Sequence, residues 1–249
     1  MTYDPASFRH RRFSNKVVTR FKSSDAVALT FDDGPDPQFT PQLLEILKKH
    51  GASATFFVLG RQAELYPYVL RQILEAGSEI ANHSYDHPSF SLLSTARKIA
   101  ELGHCERAIG KAGKKYFRPP FGHASGGTPR WASLLGYVTV CWSADVTDWE
   151  VDDPGTIEGL LNGNVRPGAI LLLHDRLETA TDARHFDRGA MLSALDVFLA
   201  RSKDSWKFNS LTEMFASYEA VFEDWDKSLG KRVLLQRKQE FLALKRNSP

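Results

Sequence analysis

Residues 26–35, AVALTFDDGP, are the stretch from which the rest of the chain is interpreted. Ala26 to Leu29 form an apolar run with the length and composition of a short buried strand. Asp32 and Asp33 follow at its end, and Gly34-Pro35 predicts a turn directly after them. Neighbouring side chains of a strand point to opposite faces, but both carboxylates can reach one pocket where the strand passes into the turn. A plain turn with a helix-capping aspartate is the alternative.

Composition and charge place the chain among ordinary globular proteins. It has 249 residues, of which 42% are hydrophobic and 25% charged, and a formal net charge of +2 that gives no indication of nucleic-acid binding. No apolar run approaches the roughly 18 residues of a membrane span. The first residues lack the apolar core of a signal peptide, so we expect a cytoplasmic protein. Cys105 and Cys141 lack metal-ligand spacing and are predicted to be buried free thiols.

Apolar runs alternate with helical stretches along most of the chain. Strands are predicted at residues 26–29, 54–59, 79–82, 116–117, 137–142, 169–173 and 206–208. Helices are predicted at residues 40–49 with Thr40 as N-cap, before 76–77, and at 92–111, 129–135, 156–161 and 188–200. This alternation implies parallel strands covered on both faces. Neither GxGxxG nor a P-loop is present, so a βα barrel is favoured over a nucleotide-binding fold.

Reactive side chains of a βα barrel gather at the carboxyl ends of its strands. The third predicted strand leads directly into HSYDHP, in which His83 and His87 are four residues apart. Histidines at this spacing can face the same way on a helical turn, as in many transition-metal sites. Asp32 or Asp33 would complete a set of two histidines and one carboxylate with one coordination position left for water.

Three further motifs follow predicted strands. In RPPFG the prolines stiffen the loop, so Arg118 can orient the carboxylate that the metal leaves free; a structural turn with a surface arginine is the alternative. In DVTDW, Trp149 offers an aromatic face for a sugar ring or acyl group, although an exposed acidic loop is the ordinary interpretation. His174 ends an almost wholly apolar strand, where its near-neutral pKa suits general acid chemistry.

TFDDGP, HSYDHP, RPPFG, DVTDW and LLLHD occur in the order of the five motifs of the polysaccharide deacetylases, carbohydrate esterase family 4, which contain the NodB homology domain. The chain resembles this family over roughly residues 25–200. The resemblance implies an α/β fold, a distorted (β/α) barrel with about seven parallel strands. We expect an N-terminal basic segment (1–24), the catalytic barrel (25–204) and a helical C-terminal extension packed on it (205–249).

The resemblance also implies how the first motifs divide their work. Asp33, His83 and His87 would bind a divalent metal, zinc in the usual case and another transition metal in some members. Asp32 would be the general base that takes a proton from a water held by the metal. Arg118 would orient that base.

The remaining family positions concern the substrate and the leaving group. The backbone N–H of Phe121 would help to stabilise the oxyanion. His174 would protonate the leaving amine, with Asp148 holding and tuning its imidazole. Trp149 and Leu173 would form an apolar slot for the acetyl methyl group.

The implied function is metal-dependent hydrolysis of N-linked, or O-linked, acetyl groups on a carbohydrate. Three alternatives remain: a deacylase of a small or lipid-linked acyl sugar or another C–N amide bond, a degenerate member that binds carbohydrate without turnover, and a glycoside hydrolase. The last needs two carboxylates flanking a glycosidic bond and no metal.

Segments outside the motifs offer weaker predictions about partners. Residues 226–249 have the pattern of an amphipathic helix with a basic face, which we expect to lie on the barrel; a peripheral membrane or protein contact is the alternative. The basic residues 9–12 could hold an anionic substrate or be solvated. The loop of residues 176–187 is expected to lie beside the active site and to influence substrate choice.

Overall fold

The computed structural model describes residues 15–125 and 127–225. These residues form strands β1 (Val17–Lys22), β2 (Ala26–Asp32), β3 (Thr55–Val58), β4 (Glu79–Asn82), β5 (Tyr116–Phe117), β6 (Val138–Thr139), β7 (Ala144–Asp145), β8 (Ile170–His174), β9 (Lys207–Asn209) and β10 (Glu219–Glu223). They also form helices α1 (Phe39–Lys49), α2 (Gly60–Leu65), α3 (Pro67–Glu75), α4 (Thr95–Ile109), α5 (Thr128–Leu134), α6 (Pro154–Asn164), α7 (Gly189–Ser202) and α8 (Leu211–Ser217). The predicted alternation of strands and helices is confirmed.

The main sheet is parallel and curls into an incomplete barrel. Its strands lie in the order β6-β5-β4-β3-β2-β8-β7, and β9 pairs with the beginning of β2. The central strand β2 pairs with β8 so that Asp32 lies beside His174. The predicted distorted barrel with about seven parallel strands is therefore confirmed.

The strand β2 is buried on both faces, which explains its mostly apolar sequence. All seven of its residues are buried. Val27, Leu29 and Phe31 belong to the cluster that includes residues of α1, α3, α6 and α7, which is the layer between sheet and helices. Ala26 and Ala28 belong to a second cluster with Phe57, Trp142 and Leu172, inside the barrel. Because side chains alternate along a strand, Asp32 continues the inner face, and the site opens on the barrel interior.

The first strand lies within the segment that we had described only as basic. β1 pairs antiparallel with β10. It also contacts the main sheet next to β6 and β8. The Cys141 N–H, just after β6, donates to the Val18 carbonyl, and the Phe21 N–H donates to the Gly168 carbonyl, just before β8, both at 2.8 Å. The described part of the C-terminal extension is thus only partly helical. Its strand β9 forms backbone hydrogen bonds in the main sheet, and its strand β10 forms them in the two-stranded sheet with β1.

Two local predictions differ from the structure. The first helix begins at Phe39, with Gln38 at its N-cap; Thr40 lies within it, accepts a hydrogen bond from the Asp36 N–H and donates to the Asp175 carboxylate. The strand predicted at 137–142 is paired over Val138–Thr139 in the main sheet.

Other predictions are confirmed or lie outside the described residues. Cys105 and Cys141 are buried and do not form a disulfide bond, as predicted. None of the helices in the described ranges has the length and apolar character of a membrane span. The basic residues 9–12 and the predicted amphipathic helix 226–249 lie outside the described residues.

Candidate active site and metal centre

The aspartates of the first motif share one pocket. Asp32 ends β2, and Asp33 follows with φ of 72°, a left-handed conformation that costs energy for a residue other than glycine or asparagine. This turn brings both carboxylates to one side of the sheet: Asp33 Oδ1 and Asp32 Oδ2 lie 3.4 and 3.7 Å from His83 Nε2. The alternative of a plain turn with a helix-capping aspartate is not supported for Asp32 and Asp33, which are only 3% and 4% exposed. The carboxylate that accepts the N–H groups of Gln38 and Phe39 at the start of α1 is that of Asp36.

The next glycine in this motif is required by close packing. A Cβ atom at Gly34 would overlap the carboxylate of Asp175, which follows His174 in the last motif. Burial raises the pKa of Asp175 to about 7, with nearby Asp36 adding to the rise and the Thr40 hydroxyl opposing it. The first and last motifs are thereby held in direct contact.

Two histidines and Asp33 form a set of donors that fits a divalent transition metal. Asp33 Oδ1 lies 3.2 Å from His87 Nε2, and the ligand atoms of Asp33, His83 and His87 all lie within 4.8 Å of one another. Asp33 Oδ1 is buried without a hydrogen-bond partner, so it is free to accept a cation. Two imidazoles and one carboxylate are a donor set that zinc and related metals prefer.

The surroundings of these donors also resemble a metal site. His83 Nδ1 lies 2.8 Å from the Arg118 carbonyl oxygen, which leaves Nε2 for a ligand. The backbone N–H of Glu178 donates to Asp33 Oδ2 at 2.8 Å. The predicted helical turn between the histidines is wrong: residues 83–88 are irregular, and Ser84 and His87 have φ of 74° and 59°.

Arg118 is buried and contacts the carboxylate that the metal set does not use. Its Nη1 donates to Asp32 Oδ1 at 2.7 Å and to Thr30 Oγ1 at 2.8 Å. Its guanidinium also stacks over the ring of Phe57, 4.2 Å from the ring centroid. The alternative of a structural turn with a surface arginine is excluded, because Arg118 is 0% exposed.

His174, which lies beside Asp32 on the neighbouring strand, pairs with the fully buried Asp148. Asp148 Oδ1 lies 2.8 Å from His174 Nδ1, and Oδ2 accepts the His174 backbone N–H at 2.9 Å. Burial alone would lower the pKa of His174, but the Asp148 charge and hydrogen bond outweigh it, helped by Asp33 and Asp32, and raise the pKa to about 9. Such a histidine is protonated at neutral pH and can donate a proton.

The apolar residues are arranged differently from the prediction in one respect. Trp149 is half-buried with its ring centroid 5.4 Å from that of His174. Leu173 is fully buried in the layer between sheet and helices, whereas Leu172 lies in the interior cluster against which Trp149 packs. Alternation along β8 puts Leu172 and His174 on one face, so the assignment of Leu173 to the acetyl slot is corrected to Leu172.

Phe121 has a strained backbone beside the candidate metal ligand His87. Its φ is 59°, and its ring lies 4.5 Å from the ring of His87, between centroids. Uncommon left-handed residues are often held at functional sites. Trp225, in the C-terminal extension, donates its indole N–H to the Gly122 carbonyl oxygen at 2.8 Å and thereby fixes this loop from outside the motif region.

Three contributors to the site were missed in the sequence. Glu178 acts through its backbone, for which no residue pattern exists. Trp225 stands in the aromatic-rich stretch 211–225, a pattern that is typical of core packing. Arg188 donates to Asp148 Oδ2 at 2.5 Å; its sequence signal is a cation at the start of an apolar helix, where the helix dipole disfavours positive charge.

Comparisons with known proteins identify the family. Residues 20–140 match the family model for polysaccharide deacetylase. The chain is 35% identical over 193 residues to a peptidoglycan-N-acetylglucosamine deacetylase of Bacillus cereus, covering 76% of this chain and 68% of that protein. The chain belongs to the polysaccharide deacetylase family. This family is carbohydrate esterase family 4, as the five motifs had indicated.

Further relatives of this polysaccharide deacetylase are similar along most of their length. It is 39% identical over 165 residues to a chitooligosaccharide deacetylase of Azorhizobium caulinodans, which covers 64% of this chain and 76% of that protein. A crystal structure of a peptidoglycan N-acetylglucosamine deacetylase superposes with a TM-score of 0.73 at 31% identity, covering 85% of this chain and 96% of the other. The polysaccharide deacetylase described here is therefore a metal-dependent hydrolase that removes acetyl groups from carbohydrate at C–N amide bonds.

Proposed function

We propose that this enzyme removes the N-acetyl group from N-acetylglucosamine units of an oligosaccharide or glycan, with zinc as its metal. The observation that carries this proposal is the arrangement of three groups around one pocket. They are the Asp33, His83 and His87 donor set, Asp32 and the protonated His174. The two relatives compared above are named as deacetylases of peptidoglycan N-acetylglucosamine and of chitooligosaccharides, which supports this substrate class.

The first half of the reaction is addition of water to the amide carbonyl. Asp33, His83 and His87 would hold the cation, which when bound supplies Lewis-acid polarisation of the carbonyl and a more acidic water. Asp32 accepts a proton from the attacking water, and Arg118 holds the Asp32 carboxylate in the orientation for that transfer. The backbone N–H of Phe121 donates to the oxygen that becomes negative.

The second half is cleavage of the C–N bond. His174 gives its proton to the amide nitrogen, so that the amine leaves as a neutral group and acetate is the other product. Asp148 keeps the imidazole protonated and fixes its Nδ1 side. Trp149 and Leu172 border the interior beside His174 and would receive the acetyl methyl group.

Acetate release is the direct test of this substrate class. The purified enzyme with zinc should release acetate from N-acetylglucosamine oligomers or peptidoglycan fragments faster than from acetylxylan or from the free monosaccharide. Release from acetylxylan alone would reject the N-acetyl assignment and indicate an O-deacetylase. Full activity on any of them in the presence of excess chelator would contradict the metal-dependent mechanism.

Replacing Asp148 should move the pH dependence of catalysis. Because His174 must be protonated to act as an acid, kcat of the native enzyme is expected to fall as the pH rises through the raised pKa of about 9. Asp148→Asn removes the opposing charge that outweighs burial, so the alkaline limb should shift down by about 1–3 pH units. The measurement is a pH–rate profile of kcat.

A control with a similar pair separates this effect from a general loss of charge. Asp196 contacts His50 Nε2 at 2.6 Å and Lys49 in the helical layer. Asp196→Asn should leave the pH profile unchanged. A profile of Asp148→Asn that superposes on the native one would contradict the role given to this pair.

Trp225→Phe should lower kcat by roughly fivefold. The phenyl ring can keep the packing against Trp142 but cannot donate to the Gly122 carbonyl oxygen, a hydrogen bond of about 1 kcal/mol that holds the Phe121 loop. Trp206→Phe, a change in a partly buried tryptophan of the outer core, serves as the control. Equal kcat values for the two variants would show that the Trp225 contact does not affect the loop.

A further inference from the structure

Arg188 is a buried cation that the mechanism above does not use. It stands at the N-cap of α7 and is 1% exposed. Both features cost energy, since a helix N-terminus disfavours positive charge and a buried charge requires full hydrogen bonding. An arginine in this position is therefore expected to be retained for a specific contact.

The contacts of its guanidinium converge on the His174–Asp148 pair. Nη2 donates to Asp148 Oδ2 at 2.5 Å, and Nη1 donates to the Asp148 carbonyl oxygen at 3.0 Å. Nε donates to the His174 carbonyl oxygen at 3.2 Å. Nη1 also donates to the His185 carbonyl oxygen at 2.9 Å, which ties in the loop that precedes α7. One planar group thus binds the backbone of both members of the pair and the carboxylate between them.

This arrangement determines how the Asp148 carboxylate can turn. Its Oδ1 is directed to His174 Nδ1, while its Oδ2 is shared by the His174 backbone N–H and Arg188. A rigid guanidinium fork holds a carboxylate in one orientation, which a flexible ammonium group does not. With Nδ1 occupied in this way, Nε2 is the imidazole nitrogen left for proton transfer.

The charges around the pair are also balanced by this residue. The negative charges of Asp148, Asp33 and Asp32 stabilise the protonated form of His174. The positive charges of His174 and Arg188 both stabilise the ionised form of Asp148. Without Arg188, His174 would be the one remaining charged partner of the buried Asp148 among the residues that the structure describes. The imidazole would then be bound more tightly as a cation and would release its proton less readily.

We propose that Arg188 is a positioning residue for the deacetylation reaction, one that aligns the His174 imidazole through Asp148 and couples this alignment to the loop of residues 176–187. The proposal rests on the function assigned above to His174. It predicts that the residue affects turnover far more than substrate binding, because its hydrogen bonds go to Asp148, His174 and His185 and the residue itself is 1% exposed.

The test compares the metal-loaded native enzyme with Arg188→Met and Arg188→Lys. Arg188→Met should lower kcat by roughly 10- to 100-fold, as for other outer partners of a reacting group, with KM changed less than about threefold. The proton resonance of the His174 Nδ1–H, observed downfield by NMR, should shift or broaden. Arg188→Lys should recover part of kcat, because the ammonium group keeps the charge but not the four contacts.

The matched control is Arg201→Met, near the end of the helix that Arg188 begins. Arg201 pairs with Glu158, and 69% of its side chain is exposed. It should leave kcat and the His174 resonance unchanged. A folded Arg188→Met variant with native kcat and native resonance would overturn the proposal.

If Arg188→Met does not fold, the lysine variant decides the question. A folded Arg188→Lys with a lowered kcat and a displaced resonance supports positioning, and one with native values for both rejects it. Failure of the underlying function gives a different result. His174→Asn with undiminished kcat would reject the acid role itself, whereas an unperturbed His174 resonance in the Arg188 variants rejects the positioning role alone.

Discussion

Asp32→Asn should reduce kcat by roughly 10²- to 10⁴-fold while the purified protein keeps its metal. The amide has nearly the size of the carboxylate but cannot accept the proton of the attacking water. Asp32 lies in hydrogen-bond contact with Arg118 at 2.7 Å, and the cation donors are supplied by other residues. Metal content by mass spectrometry of the dialysed protein, together with acetate release, measures both quantities on one sample.

The opposite end of the same strand supplies the control for this variant. Asp25 precedes β2 and pairs with Lys207 at 2.7 Å, with 42% of its side chain exposed. Asp25→Asn should retain native kcat and metal content. If Asp32→Asn also retained native kcat, another group would have to be the base.

Asp33→Asn should fail in a different way, through loss of the metal. The change removes the only charge among the three donors, and Asp33 Oδ1 is the atom on which both imidazole Nε2 atoms converge. The affinity for zinc should fall by more than the roughly 10- to 100-fold that loss of an outer partner causes. Activity should fall with it and return in part when zinc is added in excess.

A zinc titration of the two asparagine variants distinguishes these roles. Asp33→Asn should gain activity with added metal, and Asp32→Asn should not. An Asp33→Asn variant that kept a full equivalent of metal after dialysis would contradict the ligand assignment. An Asp32→Asn variant recovered by zinc would mean that the two adjacent carboxylates had been assigned in the wrong order.

Much of the site could be predicted because its residues stand at strand ends. Asp32 and His174 end β2 and β8, and His83 follows β4 directly. Parallel strands bring their carboxyl ends to one edge, so the order of the motifs was sufficient to bring these side chains together. The choice of Leu172 over Leu173 for the acetyl slot also follows from the sequence. Residues two apart on a strand share a face, and Leu172 is two residues before His174.

Other features depend on backbone conformations that local sequence does not reveal. Asp33, Ser84, His87 and Phe121 are left-handed, although none is glycine. Such conformations are disfavoured locally and persist because the surrounding contacts stabilise them. The prediction of a helical turn between His83 and His87 was therefore wrong, although both imidazoles lie within reach of Asp33.

By itself, the sequence determined the alternation of strands and helices in the barrel, the family and the chemical types of the reacting groups, because these follow from short-range periodicity and from motifs of fixed spacing. Tertiary structure alone decided the support of the site. Glu178 reaches Asp33 across 145 positions, and Trp225 reaches Gly122 across 103. Arg188 meets Asp148 across 40 positions. Contacts at such separations are set by how the sheet curls and which helix packs where, and no local pattern encodes them. The adjacent carboxylates of β2 are therefore recognisable in the chain, but their different partners exist only in the fold.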